Sequence, residues 1–99
     1  MTRFRLSPEA AQDLNDIYEY IARDNFEAAE HVRTEIYDAI LGVAAMPGKG
    51  HRREDLTERA VLFWPVRSYQ IIYRPHSRPL QVVAILHGKR DIKRVLSQR

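Results

Sequence analysis

Three short apolar runs crowd the second half of this chain, and the spacers between them restrict the fold more than any other feature. The runs are 60–64, 69–73 and 80–86. Pro65-Val66-Arg67-Ser68 separates the first pair, and Pro75-His76-Ser77-Arg78-Pro79 lies between the second. A crossover between parallel strands needs a dozen or more residues, so these spacers admit only antiparallel hairpins. A three-stranded antiparallel meander is the expected result.

The first half has a different period. Phe4 and Leu6 alternate with Arg3 and Arg5, which predicts a short strand over 2–6. Ser7-Pro8-Glu9 then supplies a hydroxyl cap, a proline at the first helical position and an acid in the first turn. Ala10, Leu14, Ile17, Tyr18 and Ile21 follow on one helical face, and Asp24-Asn25 interrupts the pattern, either residue able to cap a second helix. A second helix carries Ala28, Val32, Ile36, Ala39, Ile40 and Val43, until Met46-Pro47-Gly48 stops it. The short link makes the two an antiparallel helical hairpin. Residues 48–58 read as a polar loop, and the tail from Asp91 to Arg99 as a short helix with Ile92, Val95 and Leu96 inward. The fold class is therefore α+β, expected as a single domain over 1–99.

Composition removes several classes of function. The chain has no Cys, which excludes disulfides, thiolate zinc sites and cysteine nucleophiles. His31, His51 and His76 lie in a helix and two loops without ligand spacing, so no metal and no other cofactor is expected. No run reaches the length of a membrane helix, and the N-terminus lacks the apolar core of a secretory signal. A cytoplasmic location is the expectation. Charge is unevenly divided: residues 1–48 carry four bases and nine acids, and residues 49–99 carry twelve bases and four acids. Such polarity suits two faces with different partners, although a solvated surface has the same pattern.

The order of elements resembles the RelE/ParE toxin superfamily. Phe63-Trp64-Pro65-Val66-Arg67-Ser68-Tyr69-Gln70-Ile71-Ile72-Tyr73-Arg74-Pro75 looks like the central hairpin of ParE-type toxins. Val83-Ala84-Ile85-Leu86-His87-Gly88-Lys89-Arg90-Asp91-Ile92 is similar to the closing strand, and Arg5-Leu6-Ser7-Pro8-Glu9-Ala10 with Asp13, Leu14 and Ile17 to the opening. The resemblance implies the toxin of a type II toxin–antitoxin module, inhibiting DNA gyrase by protein binding without catalysis of its own. It also implies a hetero-oligomer with a cognate antitoxin, which would bring operator DNA with it. The alternative on the same fold is a RelE-like ribosome-dependent mRNA endonuclease.

That nuclease would draw on His87, Arg67, Arg74 and Arg90 for acid/base groups and phosphate charge. RelE-type members place an Arg three residues before the Tyr of the middle strand, where this chain has Gln70. A neutral amide cannot neutralise a phosphate, so the gyrase reading is preferred. His87 is read as structural, ending a strand and bonding the backbone of the Gly88-Lys89-Arg90 turn, with acid/base work as its alternative. Target contact is assigned to Lys89, Arg90, Lys93, Arg94 and Arg99. This tail is expected to lie outside the core and to be removable after Asp91 without unfolding the chain. Arg90-Asp91 is either an ion pair or a helix cap by Asp91. Trp64, Tyr18 and Tyr37 are the partner-binding candidates. Trp64 either caps the helix–sheet interface or stands exposed as an anchor.

Overall fold

The computed structural model describes residues 3–99, so Thr2, the expected start of the first strand, lies outside the described residues. The elements are β1 (Phe4–Leu6), α1 (Pro8–Ala22), α2 (Phe26–Ala45), a 3₁₀ turn (Pro47–Lys49), β2 (Leu62–Val66), β3 (Tyr69–Arg74), β4 (Leu80–His87) and α3 (Ile92–Ser97). The helix starts follow their capping chemistry. Ser7 Oγ accepts from the Ala10 N–H at 3.0 Å, with Pro8 in the first turn. Asn25, rather than Asp24, caps α2 by accepting from the Ala28 N–H at 3.0 Å. Asp91 caps α3 through the Arg94 N–H at 3.2 Å, and among the described residues it forms no ion pair with Arg90.

The strands form one sheet in the order β1-β4-β3-β2. The meander β2-β3-β4 is antiparallel as expected, whereas β1 pairs with β4 in parallel, so the sheet is mixed. Parallel pairing is possible here because the whole helical hairpin separates β1 from the meander. The first meander strand, expected over 60–64, is corrected to Leu62–Val66. Pro65 is accommodated because β2 is the sheet edge, where a missing N–H need not break a ladder bond. The hairpin then closes on two residues, Arg67 and Ser68, with Arg67 at φ 53° in the left-handed region. On the outer edge of β2, His51 and Phe63 exchange backbone bonds of 2.8 and 2.7 Å, so the polar loop partly covers this strand.

The α1–α2 hairpin covers one sheet face. Ala10, Leu14, Val32, Ile36, Ile40 and Val43 pack there against Ile71, Tyr73, Leu80, Val82 and Ile85. Ala29, not Ala28, is the fully buried alanine of the first α2 turn. The opposite face carries a second cluster of Val61, Phe63, Ile72, Ala84, Leu86, Ile92 and Leu96. A register shift lets both clusters draw on β4. Ile72 pairs with Ala84 and Tyr73 with Val82, so Val83 is an extra residue. One inserted residue inverts the alternation, which puts Val82 and Ile85 on the same face although they are three apart.

This second cluster overturns the expectation that the tail is removable. Ile92 and Leu96 are 4% and 2% exposed, so α3 is a wall of the core rather than an appendage. Its inward stripe is the one the sequence predicts, but the surface it meets is a second face of the sheet.

Candidate functional site

Arg99, assigned to target contact from the sequence, is committed inside the molecule. Its guanidinium forms a two-pronged pair with Asp13 of α1, at 2.6 Å from Nη1 to Oδ2 and 2.8 Å from Nη2 to Oδ1. Asp13 is buried and also accepts from the Ile85 N–H at 3.0 Å. That donor lies beyond Leu6↔Val82, where β1 ends and the edge of β4 has no strand beside it. A carboxylate thus replaces a missing strand neighbour, and an arginine from the tail offsets its buried charge. Arg59 braces the same region by donating to the carbonyls of Leu96 and Arg99, each at 3.1 Å. Sequence reasoning missed Asp13 and Arg59 as fixings. The only signal was an acid at a stripe-adjacent position of α1.

The remaining target-contact candidates are free. Lys89 and Arg90 lie in the turn after β4, Lys93 and Arg94 on the outer side of α3, and all four are exposed. Their side chains have no carboxylate partner among the described residues. With Ile92 and Leu96 anchored beneath, the fold presents four exposed cations along a short, braced segment.

Of the nuclease candidates, His87, Arg67 and Arg90 lie at one end of the sheet, where the Gly88 N–H bonds the Ser68 carbonyl at 2.7 Å, and Arg74 lies at the other. His87 Nδ1 accepts from the Lys89 N–H at 3.0 Å, the turn bond expected of a structural histidine. Its ring also meets Tyr69 edge-on at 5.4 Å. Arg67, at the β2–β3 turn, donates to both Glu35 carboxylate oxygens, one at 2.9 Å. This pairing raises the Arg67 pKa and lowers that of Glu35. Arg90 is close to His87 in the chain, and its N–H bonds the His87 carbonyl at 3.0 Å. Arg74 lies at the other end of β3. His87 pairs with Tyr69, so at 3.3 Å per residue Arg74 is about 17 Å further along the sheet.

The aromatic candidates fall in two places. Trp64 on β2 is half-buried against the first core, stacked on His51 at 6.0 Å and covered by Lys49 Nζ at 4.4 Å from the ring centroid. It closes the helix–sheet interface at that edge. Tyr18 and Tyr37 line an open groove with Leu6, Leu14 and Arg33, where α1, α2 and β1 meet. The Tyr18 hydroxyl donates to Glu30, which raises its pKa, and Arg33 stacks at 4.6 Å over its ring. Tyr37 leans on Phe4 at 6.2 Å and keeps 36% of its surface exposed. Phe26, 64% exposed, meets Tyr18 edge-on at 6.3 Å, whereas Tyr20, 70% exposed, is two residues from Tyr18 and so on another side of α1. Among the described residues, no group of three His, Asp or Glu converges as a metal site would require, and no helix is long and apolar enough to cross a membrane.

Comparison with known proteins agrees with this architecture. The family model described as ParE toxin of type II toxin-antitoxin system, parDE, matches residues 4–92. This chain belongs to the ParE toxin family. No curated protein sequence matches it. Among solved structures, the ParE-family chain is similar to one titled "Chromosomal ParDE TA system from P. aeruginosa". The TM-score is 0.70 at 20% identity, covering 88% of this chain and 96% of that one. At that identity the likeness concerns the fold. The family match reaches Ile92 and so takes in Asp13, Gln70 and His87, whereas Arg94 and Arg99 lie beyond it.

Proposed function

We propose that this ParE-family toxin inhibits DNA gyrase by binding it, using the ridge of Lys89, Arg90, Lys93 and Arg94. The observation that carries the reading is the state of the catalytic candidates. His87 Nδ1 serves a turn, Arg67 serves Glu35, Arg74 is far from both, and Gln70 supplies no charge. Inhibition by surface contact needs none of these groups free. It needs a rigid, complementary face, and a cationic ridge on a buried anchor offers one.

A cognate antitoxin is the neutralising partner in this reading. The groove beside Tyr18 and Tyr37, with Phe26 exposed against Tyr18, suits the apolar side of an amphipathic segment. Acidic residues on that segment would be drawn toward the basic C-terminal half, which raises the association rate at low salt.

The test is a supercoiling assay with a cleavage-complex readout, using purified toxin with and without antitoxin. Wild type should inhibit or trap gyrase, and the Lys93→Glu/Arg94→Glu variant should fold normally and lose most of that effect. Gyrase untouched by wild type, with mRNA cut on translating ribosomes, would replace the reading with the endonuclease one.

A further inference from the structure

α3 covers only part of the second sheet face. Beyond it, towards the Arg74 end of β3, the surface forms two adjoining clefts of about 480 Å³ each that share Ala60, Val61 and His76. Ala60, Val61, Leu62, Pro47 and Pro75 give these clefts an apolar floor. Arg52 and Arg78 border one cleft and Arg59 and Arg74 the other, and the His76 ring lines both. No carboxylate lines either cleft. Arg59 is held in place by the Leu96 and Arg99 carbonyls. Arg78 donates only to the backbone of its own turn, at 3.2 Å to Ser77 and 3.4 Å to Pro75. Arg74 has no side-chain partner among the described residues. The cation row continues across the sheet, because Arg74 and Arg5 are both register partners of Gln81 and so share its face.

Among the described residues Arg74 and Arg78 have no carboxylate partner, whereas Arg52 pairs with Glu54 at 3.5 Å, as Arg33 does with Glu30, Arg53 with Asp55, Arg67 with Glu35 and Arg99 with Asp13. Unneutralised guanidinium groups around a concavity focus the field on an anion, and their planar forks match phosphate oxygens. An apolar floor beside them accommodates a flat heterocycle, and the volume is that of an ordinary ligand cleft.

We infer that the clefts between Arg52, Arg74, His76 and Arg78 bind nucleotide phosphate, with a base on the Ala60–Val61 floor. The source is a free nucleotide or a stretch of single strand. This site is separate from the gyrase-binding ridge and does not depend on that proposal. Nor does it imply cleavage, since His87 lies at the opposite end of the sheet.

The experiment is fluorescence anisotropy with a labelled ten-nucleotide thymidine strand across a salt series, using the full chain. Adenosine monophosphate, inorganic phosphate and decaglutamate serve as competitors. Wild type should bind the strand with a negative slope of log affinity against log salt. Arg74→Gln/Arg78→Gln should weaken binding about tenfold at low salt and make the slope shallower by about 1.4, since each single-strand phosphate contact contributes about 0.7. Lys93→Gln/Arg94→Gln should leave both unchanged. Competition by adenosine monophosphate in preference to inorganic phosphate supports a mononucleotide source. A strand that resists the mononucleotide supports an extended one. The inference is overturned if wild type fails to bind the strand. Loss of binding in the ridge variant instead of the cleft variant also overturns it, as does decaglutamate competing equally with nucleotide. Both substituted residues are exposed, and unchanged circular dichroism separates loss of binding from loss of fold.

Discussion

Removing residues 92–99 should unfold most of what the chain gains on folding. Ile92 and Leu96 are 4% and 2% exposed, and burying such side chains stabilises by about 1.5–3 kcal/mol each. The same cut removes Arg99 and leaves the buried Asp13 carboxylate with only the Ile85 N–H, at a further cost of about 1–3 kcal/mol. It also uncovers Phe63, Ile72 and Leu86, which are at most 2% exposed in the intact chain. The direct losses alone reach about 5 kcal/mol, against a total of about 5–15 kcal/mol for a domain of ordinary stability. With a urea m-value of about 1.5 kcal/mol/M, the midpoint should fall by about 3 M or the chain should not fold. Urea titration followed by far-UV circular dichroism and Trp64 fluorescence reads this directly. A truncated chain whose midpoint stays within about 0.5 M of the intact one would refute the assignment of α3 to the core. Arg99→Ala separates the contributions: it keeps Ile92 and Leu96 in place and should lose only about 1–3 kcal/mol. A loss of toxicity on truncation therefore says nothing about target contact, and only point changes on the ridge can report it.

The Tyr73 hydroxyl donates to the Pro47 carbonyl at 2.7 Å and accepts from the Gly50 N–H at 3.0 Å. Burial raises its pKa, so its contribution is full below the unfolded value of about 10 and is lost as pH rises through the folded one. Tyr73→Phe should cost about 1–3 kcal/mol at pH 7 and flatten the alkaline limb of a stability–pH curve. Gly50→Ala places a Cβ 2.5 Å from the Tyr73 oxygen and 3.0 Å from Leu62 Cβ. Thermal melts should show it destabilised by about 1–3 kcal/mol, and Tyr73→Phe should relieve part of that. Glu35 has a lowered pKa because Arg67 donates to it, so this pair contributes above the unfolded carboxylate value and is lost as pH falls through the folded one. In Arg67→Ala, the Glu35 carboxyl should titrate in the ordinary range by carbon-13 NMR. Tyr37→Ala should weaken antitoxin binding by tenfold or more in calorimetry while leaving gyrase inhibition intact.

Much of this protein was legible from local chemistry. The Ser7-Pro8-Glu9 start, a cap at Asp24 or Asn25 and the Pro47-Gly48 stop act within a turn or two of chain, so they can be read without knowing what the helices pack on. The same holds for the Asp91 cap and for the His87 turn bond, which spans two residues. The outward position of Lys93 and Arg94 was legible too, because it follows from the Ile92–Leu96 spacing on α3. Pro65 misled because a proline weakens a strand on average, and only its place on the edge makes it harmless. The tail misled for a related reason. An apolar stripe states which side is buried, but not whether the surface beneath is marginal or a second core.

What the sequence determined by itself is the kind and order of the elements, since periodicity, caps and spacer lengths act over short stretches of backbone. It also carried the family resemblance, which the match over residues 4–92 bears out. Only the tertiary structure decided that β1 joins β4 in parallel, that the shift at Val83 divides β4 between two cores, and that Arg99 reaches Asp13 across 86 residues. It likewise drew Arg52, Arg74 and Arg78 around two adjoining clefts and took Arg74 away from His87. The reason is physical. A cap or a turn is set by neighbours along the chain, whereas a core wall, a buried ion pair or a cationic cleft exists only where distant segments remove water from one another.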